Sequence, residues 1–112
     1  MTTTSTPQER LFIVQQAYRV AYAGHEADLR EATTSAQVKK ILANLDALEM
    51  AYYEAGVSAL TATGQDVEDA YKAAVLATKK IKAAYDDAQD LATKLRLGAK
   101  LVDAIGALMI LL

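Results

Sequence analysis

The chain has 112 residues, 53% of them hydrophobic and 23% charged, with a formal net charge of -2. That balance excludes a disordered chain, and five Gly with one Pro are too few turn formers for many short strands. Twelve basic against fourteen acidic residues create no field that would draw nucleic acid to the whole surface, and the absence of Cys removes disulfide and thiolate chemistry.

One domain is expected over residues 1–112, with residues 1–5 frayed. The start carries neither the basic nor the apolar region of a secretory signal, so a cytoplasmic location is the default expectation. Thr6-Pro7-Gln8-Glu9 opens the first helix: Thr6 can cap free amides, Pro7 suits the first turn, and Glu9 can close a capping box. Leu11, Val14, Tyr18, Ala21 and Tyr22 form its apolar face, and the pattern resumes through His25, Leu29 and Ala32. The helix is expected over about 7–32 with a soft point at Gly24. If it runs straight through, Gly24→Ala should stabilise by up to ~1 kcal/mol.

Thr33-Thr34-Ser35 ends this helix, and Thr34 with Gln37 offers a second capping box. Val38, Ile41, Leu45, Leu48, Tyr52, Ala55 and Ala59 then follow 3-4 spacing over about 35–61. The opposite face carries Lys39, Lys40, Asp46, Glu49 and Glu54. Thr61 to Gly64 is the next break, with Thr63 and Asp66 opening the third helix.

From Val67 to Leu112 nearly every 3-4 step lands on a small or apolar residue, alanine first and larger aliphatics later, the last steps being Leu91, Leu95, Gly98, Val102, Ile105, Met109 and Leu112. A single rod of that length would overhang its partners, so a break is expected near Asp90 or Gly98, giving helices over about 64–90 and 91–112. The fold class is all-α: an antiparallel up-and-down bundle of three long helices plus a C-terminal apolar helix, separate from or continuing the third.

The residues that could carry chemistry are sparse. His25 is the only histidine, and Asp86, Asp87 and Asp90 crowd one helix end. There is no Glu-x-x-His pattern for a bundle metal site, no nucleophile triad and no phosphate loop. No catalytic, cofactor-binding or metal-binding residue is therefore expected, and no nucleic-acid partner. Lys72, Lys79, Lys80 and Lys82 make the third helix locally basic.

Two features point to partners. Among six tyrosines, Tyr53 is the best candidate for an exposed hot spot, since its neighbour Tyr52 occupies the core face. From Ala107 onward, apolar residues cover the whole helix circumference, so Leu101, Ile105, Leu108, Met109, Ile110 and Leu112 are expected to form an oligomer interface, a dimer being the simplest. The expected function is a non-enzymatic interaction module, an adaptor, assembly factor or inhibitor that presents helix faces. The alternatives are an immunity or antitoxin-type inhibitor of a toxic enzyme, and a soluble bundle with a membrane-active C-terminal helix.

Overall fold

A computed structural model describes residues 4–57 and 63–112, and the side chains of all of these except 56 and 57. The chain forms four helices: α1 (Pro7–Glu31), α2 (Ser35–Val57), α3 (Gln65–Asp86) and α4 (Leu91–Leu111). Among the described residues there is no strand. The fourth helix is separate from the third.

Local chemistry accounts for the ends. Thr6 Oγ1 accepts from the Glu9 amide at 3.1 Å while Glu9 Oε1 accepts from the Thr6 amide at 2.9 Å, a complete capping box. Thr34 and Gln37 repeat the exchange at the start of α2, both bonds at 3.2 Å. The cap of α3 differs from expectation. Gly64, at φ 128°, occupies the N-cap position in place of Thr63, and no side chain caps the helix. Ala59 and the predicted end of the second helix lie outside the described residues.

The break between α3 and α4 falls at residues 87–90. The Ala84 carbonyl accepts from the Gln89 amide at 2.9 Å and the Tyr85 carbonyl from the Ala88 amide at 3.2 Å, the paired bonds of a Schellman ending. That ending places Ala88 at φ 51°, a left-handed position usually given to glycine. This is why no stop signal was visible. Asp90 then caps α4, its Oδ1 accepting from the Thr93 amide at 2.9 Å.

Helices α1 and α2 pack as one antiparallel hairpin, α3 and α4 as another, and the second pair shares the widest interface. The hairpins join through α1 against α3 and α2 against α4. Among the described residues α2 and α3 make no contact, so they stand at opposite corners. The core draws on all four helices: Ile13, Val14 and Ala17; Ile41, Leu48, Ala51 and Ala55; Val67, Ala74, Ile81 and Ala84; Leu91, Leu101, Ile105 and Leu108.

The buried stripe of α1 is rotated from the predicted one. Arg10, Ile13, Val14, Ala17, Gly24 and Asp28 face inward, while Tyr22 is 57% exposed. The apolar pattern pointed to the wrong side because three members of the true stripe are Arg, Gly and Asp. Residue 5 also departs from expectation: Ser5 is buried, not frayed. Its amide and hydroxyl both donate to Glu68 on α3 at 2.9 Å, and Arg10 binds the Ser5 hydroxyl at 2.9 Å and carbonyl at 2.7 Å.

Candidate partner-binding surface

Rotation of α1 decides which aromatic residues reach solvent. With residues 13, 14 and 17 inward, Tyr18, Tyr22 and His25 follow one another along the flank that meets α2. Tyr52 closes on Tyr18 from the other helix at a ring-centroid distance of 5.1 Å. Tyr22 lies 5.9 Å from Tyr18, His25 5.0 Å from Tyr22, and Tyr53 5.6 Å from Tyr52. The five rings form one continuous ladder across the α1–α2 seam, in the tilted and edge-on arrangements that aromatic quadrupoles favour. Tyr18, Tyr52 and His25 are half-buried, while Tyr22 and Tyr53 are 57% and 62% exposed. Burial, then the neighbouring Glu49 carboxylate, raises the Tyr18 phenol above its ordinary value.

Leu101, Ile105 and Leu108 of the predicted oligomer interface are at most 1% exposed in the single chain. This corrects their assignment: they are core residues, because α4 turns its 101-105-108 stripe onto the other helices. Met109 and Leu112 are half-buried, and Ile110 is 85% exposed. Ile110 flanks a groove of about 290 Å3 between α2 and α4, beside Met50, Glu54, Val102 and Gly106. Tyr53 is exposed as its position implied.

The ionisable groups converge elsewhere, under the α3–α4 turn. Asp28 of α1 accepts a hydrogen bond from the Tyr85 hydroxyl of α3. Lys94 of α4 places Nζ 3.0 Å from Asp28 Oδ1, 3.1 Å from Glu31 Oε1 and 5.3 Å from the Tyr85 ring centroid. Lys94 and Asp28 are each 5% exposed. Burial pushes the Lys94 ammonium down, but contact with the two carboxylates outweighs it and the net shift is upward. Tyr85 is raised strongly, first by burial and then by its bond to Asp28.

Gly24 stands beneath this cluster. The helix runs through it without positive φ, yet a Cβ there would enter the Tyr85 ring. The expectation of a simple stabilising Gly24→Ala change is therefore overturned: the glycine is the seat of Tyr85. His25 and Asn44 join Asp28, Tyr85 and Lys94 around a cavity of about 30 Å3, space for one or two waters. Sequence reasoning missed Asp28, Tyr85 and Lys94. One signal was present, a lysine standing next to the seam position Leu95.

Asp86, Asp87 and Asp90 serve the turn, at the end of α3, its C-cap and the α4 N-cap. Among the described residues no group of three or more ligand-type side chains gathers, and no helix is long and apolar enough to cross a membrane. Comparison with known proteins adds no relative: no family model, curated protein or solved structure matches the chain.

Proposed function

We propose that this protein is a non-enzymatic interaction module that presents rigid helix faces to protein partners. The observation that carries the reading is the aromatic ladder from Tyr53 through Tyr52, Tyr18 and Tyr22 to His25. Large, stiff side chains with an apolar body and a polar tip bring contact area at low conformational cost, and Tyr is enriched where partners bind. Tyr22 and Tyr53 are open to solvent while Tyr18 and Tyr52 are fixed by packing between two helices, so the surface is pre-organised. The ionisable cluster supports the same reading from the other direction. Its carboxylate, phenol and ammonium are engaged with one another, and the cavity beside them has no room for a substrate.

The test uses cross-linking in the source cell followed by affinity purification of the chain and of a Tyr22→Ser/Tyr53→Ser variant. The expected result is a specific protein captured by the wild type and lost in the variant, with the melting temperature unchanged. Capture that is indifferent to both substitutions would remove the ladder as the binding surface.

A further inference from the structure

Two exposed rows of side chains on opposite corners of the bundle match each other in spacing and oppose each other in charge. On α3, Lys72, Leu76 and Lys80 follow one another at four-residue intervals along the outer side, with Lys79 beside them. On α2, Asp46, Met50 and Glu54 do the same. Leu76 is 54% exposed and Met50 64%, each a large apolar side chain on the solvent side of its helix. Four-residue steps keep each row on one helix face, so both are short stripes with an apolar knob between two like charges.

Each knob also stands beside a groove that could receive the other. Leu76 borders one of about 200 Å3 between α3 and α4, where Lys80 and Lys100 form the rim. Met50 borders the groove of about 290 Å3 between α2 and α4, rimmed by Glu54 and Ile110. Among the described residues none of Lys72, Lys79, Lys80, Lys100, Asp46 or Glu54 forms an ion pair within the chain. Lys72 also faces the Glu68 carboxylate one turn before it, so the α3 row keeps its excess positive charge at Lys79 and Lys80, opposite in sign to Asp46 and Glu54 on the other corner.

We infer that the chain associates with copies of itself head to tail, the acidic α2 row of one molecule seated on the lysine α3 row of the next. Helices α2 and α3 occupy opposite corners, and the two rows stand on different faces of the bundle, one on each flank of α4. The contact is therefore heterologous and leaves a free row at each end, so assembly continues beyond a dimer into a chain or ring. A one-helix-wide contact belongs to the weak, reversible class below roughly 1,200 Å2 of total buried area. Charge pairs at its rim set register and rate, and salt weakens them as the Debye length falls from about 10 Å at 0.1 M to about 3 Å at 1 M. This inference is independent of the aromatic ladder, which lies on the α1–α2 seam, and replaces the two-fold C-terminal dimer expected from the sequence.

The experiment is analytical ultracentrifugation of the full chain and two charge-reversed variants, Lys72→Glu/Lys80→Glu and Asp46→Lys/Glu54→Lys. All four residues are exposed, and circular dichroism checks that each variant keeps wild-type helicity. The wild type should form concentration-dependent species larger than a dimer at low salt and lose them at high salt. Each variant alone should be monomeric, one having two acidic rows and the other two basic rows. Mixed in equal amounts, they should restore salt-sensitive species larger than a dimer in which the two variants alternate, since the native pair of rows and the charge-swapped pair are both matched. A wild type that is monomeric at submillimolar concentration overturns the inference, as does one that stops at a two-fold dimer or variants that assemble like the wild type. Binding of anionic vesicles or an acidic helical peptide by a monomeric wild type would assign the lysine row to a foreign partner instead.

Discussion

Parallel helices α1 and α3 are joined by a polar clasp at each end, and the two clasps are built differently. At the starting end, Arg10 is 1% exposed, binds Ser5 through both hydroxyl and carbonyl, and lies 3.7 Å from Glu68 Oε1. It fastens the segment before α1 onto α3. At the far end Asp28, Tyr85 and Lys94 bring together three helices, with Glu31 at the rim. The first clasp leans on backbone amide and carbonyl groups, the second on side chains alone. In the second, Lys94 is the one cation facing Asp28 among the described residues, so its removal leaves a buried carboxylate without a countercharge.

The largest expected effect follows from that difference. Lys94→Met should destabilise by about 3–5 kcal/mol, since Asp28 loses its cation while remaining buried. The double change Lys94→Met/Asp28→Leu should recover most of that loss in chemical denaturation, because apolar replacement of a whole buried pair is often near neutral. A double variant as unstable as the single one would show that the cluster acts by packing and not by charge.

Gly24→Ala comes next and reads the seat of Tyr85. A destabilisation of about 1–3 kcal/mol is expected from the forced shift of a ring whose hydroxyl is tied to Asp28. In a Tyr85→Ala background the same substitution should stabilise, by the helix-propensity gain of up to ~1 kcal/mol. The smallest effect belongs to the turn beyond the clasp. Ala88→Gly should stabilise by about 0.5–1 kcal/mol, measured as a rise in the denaturation midpoint, by relieving the left-handed conformation at φ 51°.

Contrast between the clasps and the apolar core also explains what the sequence disclosed. Helix ends were legible where side chains do the capping, at Thr6-Glu9 and Thr34-Gln37. The α2 stripe was legible because Ile41, Leu48 and Ala55 are apolar and buried in register, as were Val67, Ala74 and Ile81 on α3. The α1 stripe was not, because a periodicity of apolar residues cannot register Arg10 or Asp28 as interior. On α4 the same blindness moved the stripe: Lys94, Leu101 and Leu108 are inward where Leu95, Val102 and Met109 had been expected. That one-position shift placed core leucines in the predicted interface. Pairing of an acid on α1 with a lysine 66 positions later is a property of the fold, invisible to local spacing.

The two clasps should also fail at opposite ends of the pH scale. The Ser5 amide bond, opposed by burial and assisted by the Ser5 hydroxyl and Arg10, holds the Glu68 carboxyl below its ordinary 4.5. Its contribution to stability is therefore present above that value and lost as pH falls through the lower folded one. Lys94 and Tyr85 are raised above their ordinary 10.5 and 10.0, so their contribution is present below those values and lost as pH rises through the folded ones.

The most direct test is stability against pH, by denaturant titration, for the wild type, Glu68→Gln and Tyr85→Phe. Two-clasp architecture gives one expected result: Glu68→Gln shrinks the loss of stability in acid and leaves the alkaline limb alone, while Tyr85→Phe shrinks the alkaline loss and spares the acid limb. If either substitution altered both limbs equally, or neither limb, the polar groups would not be acting as two separate clasps and the account would fail.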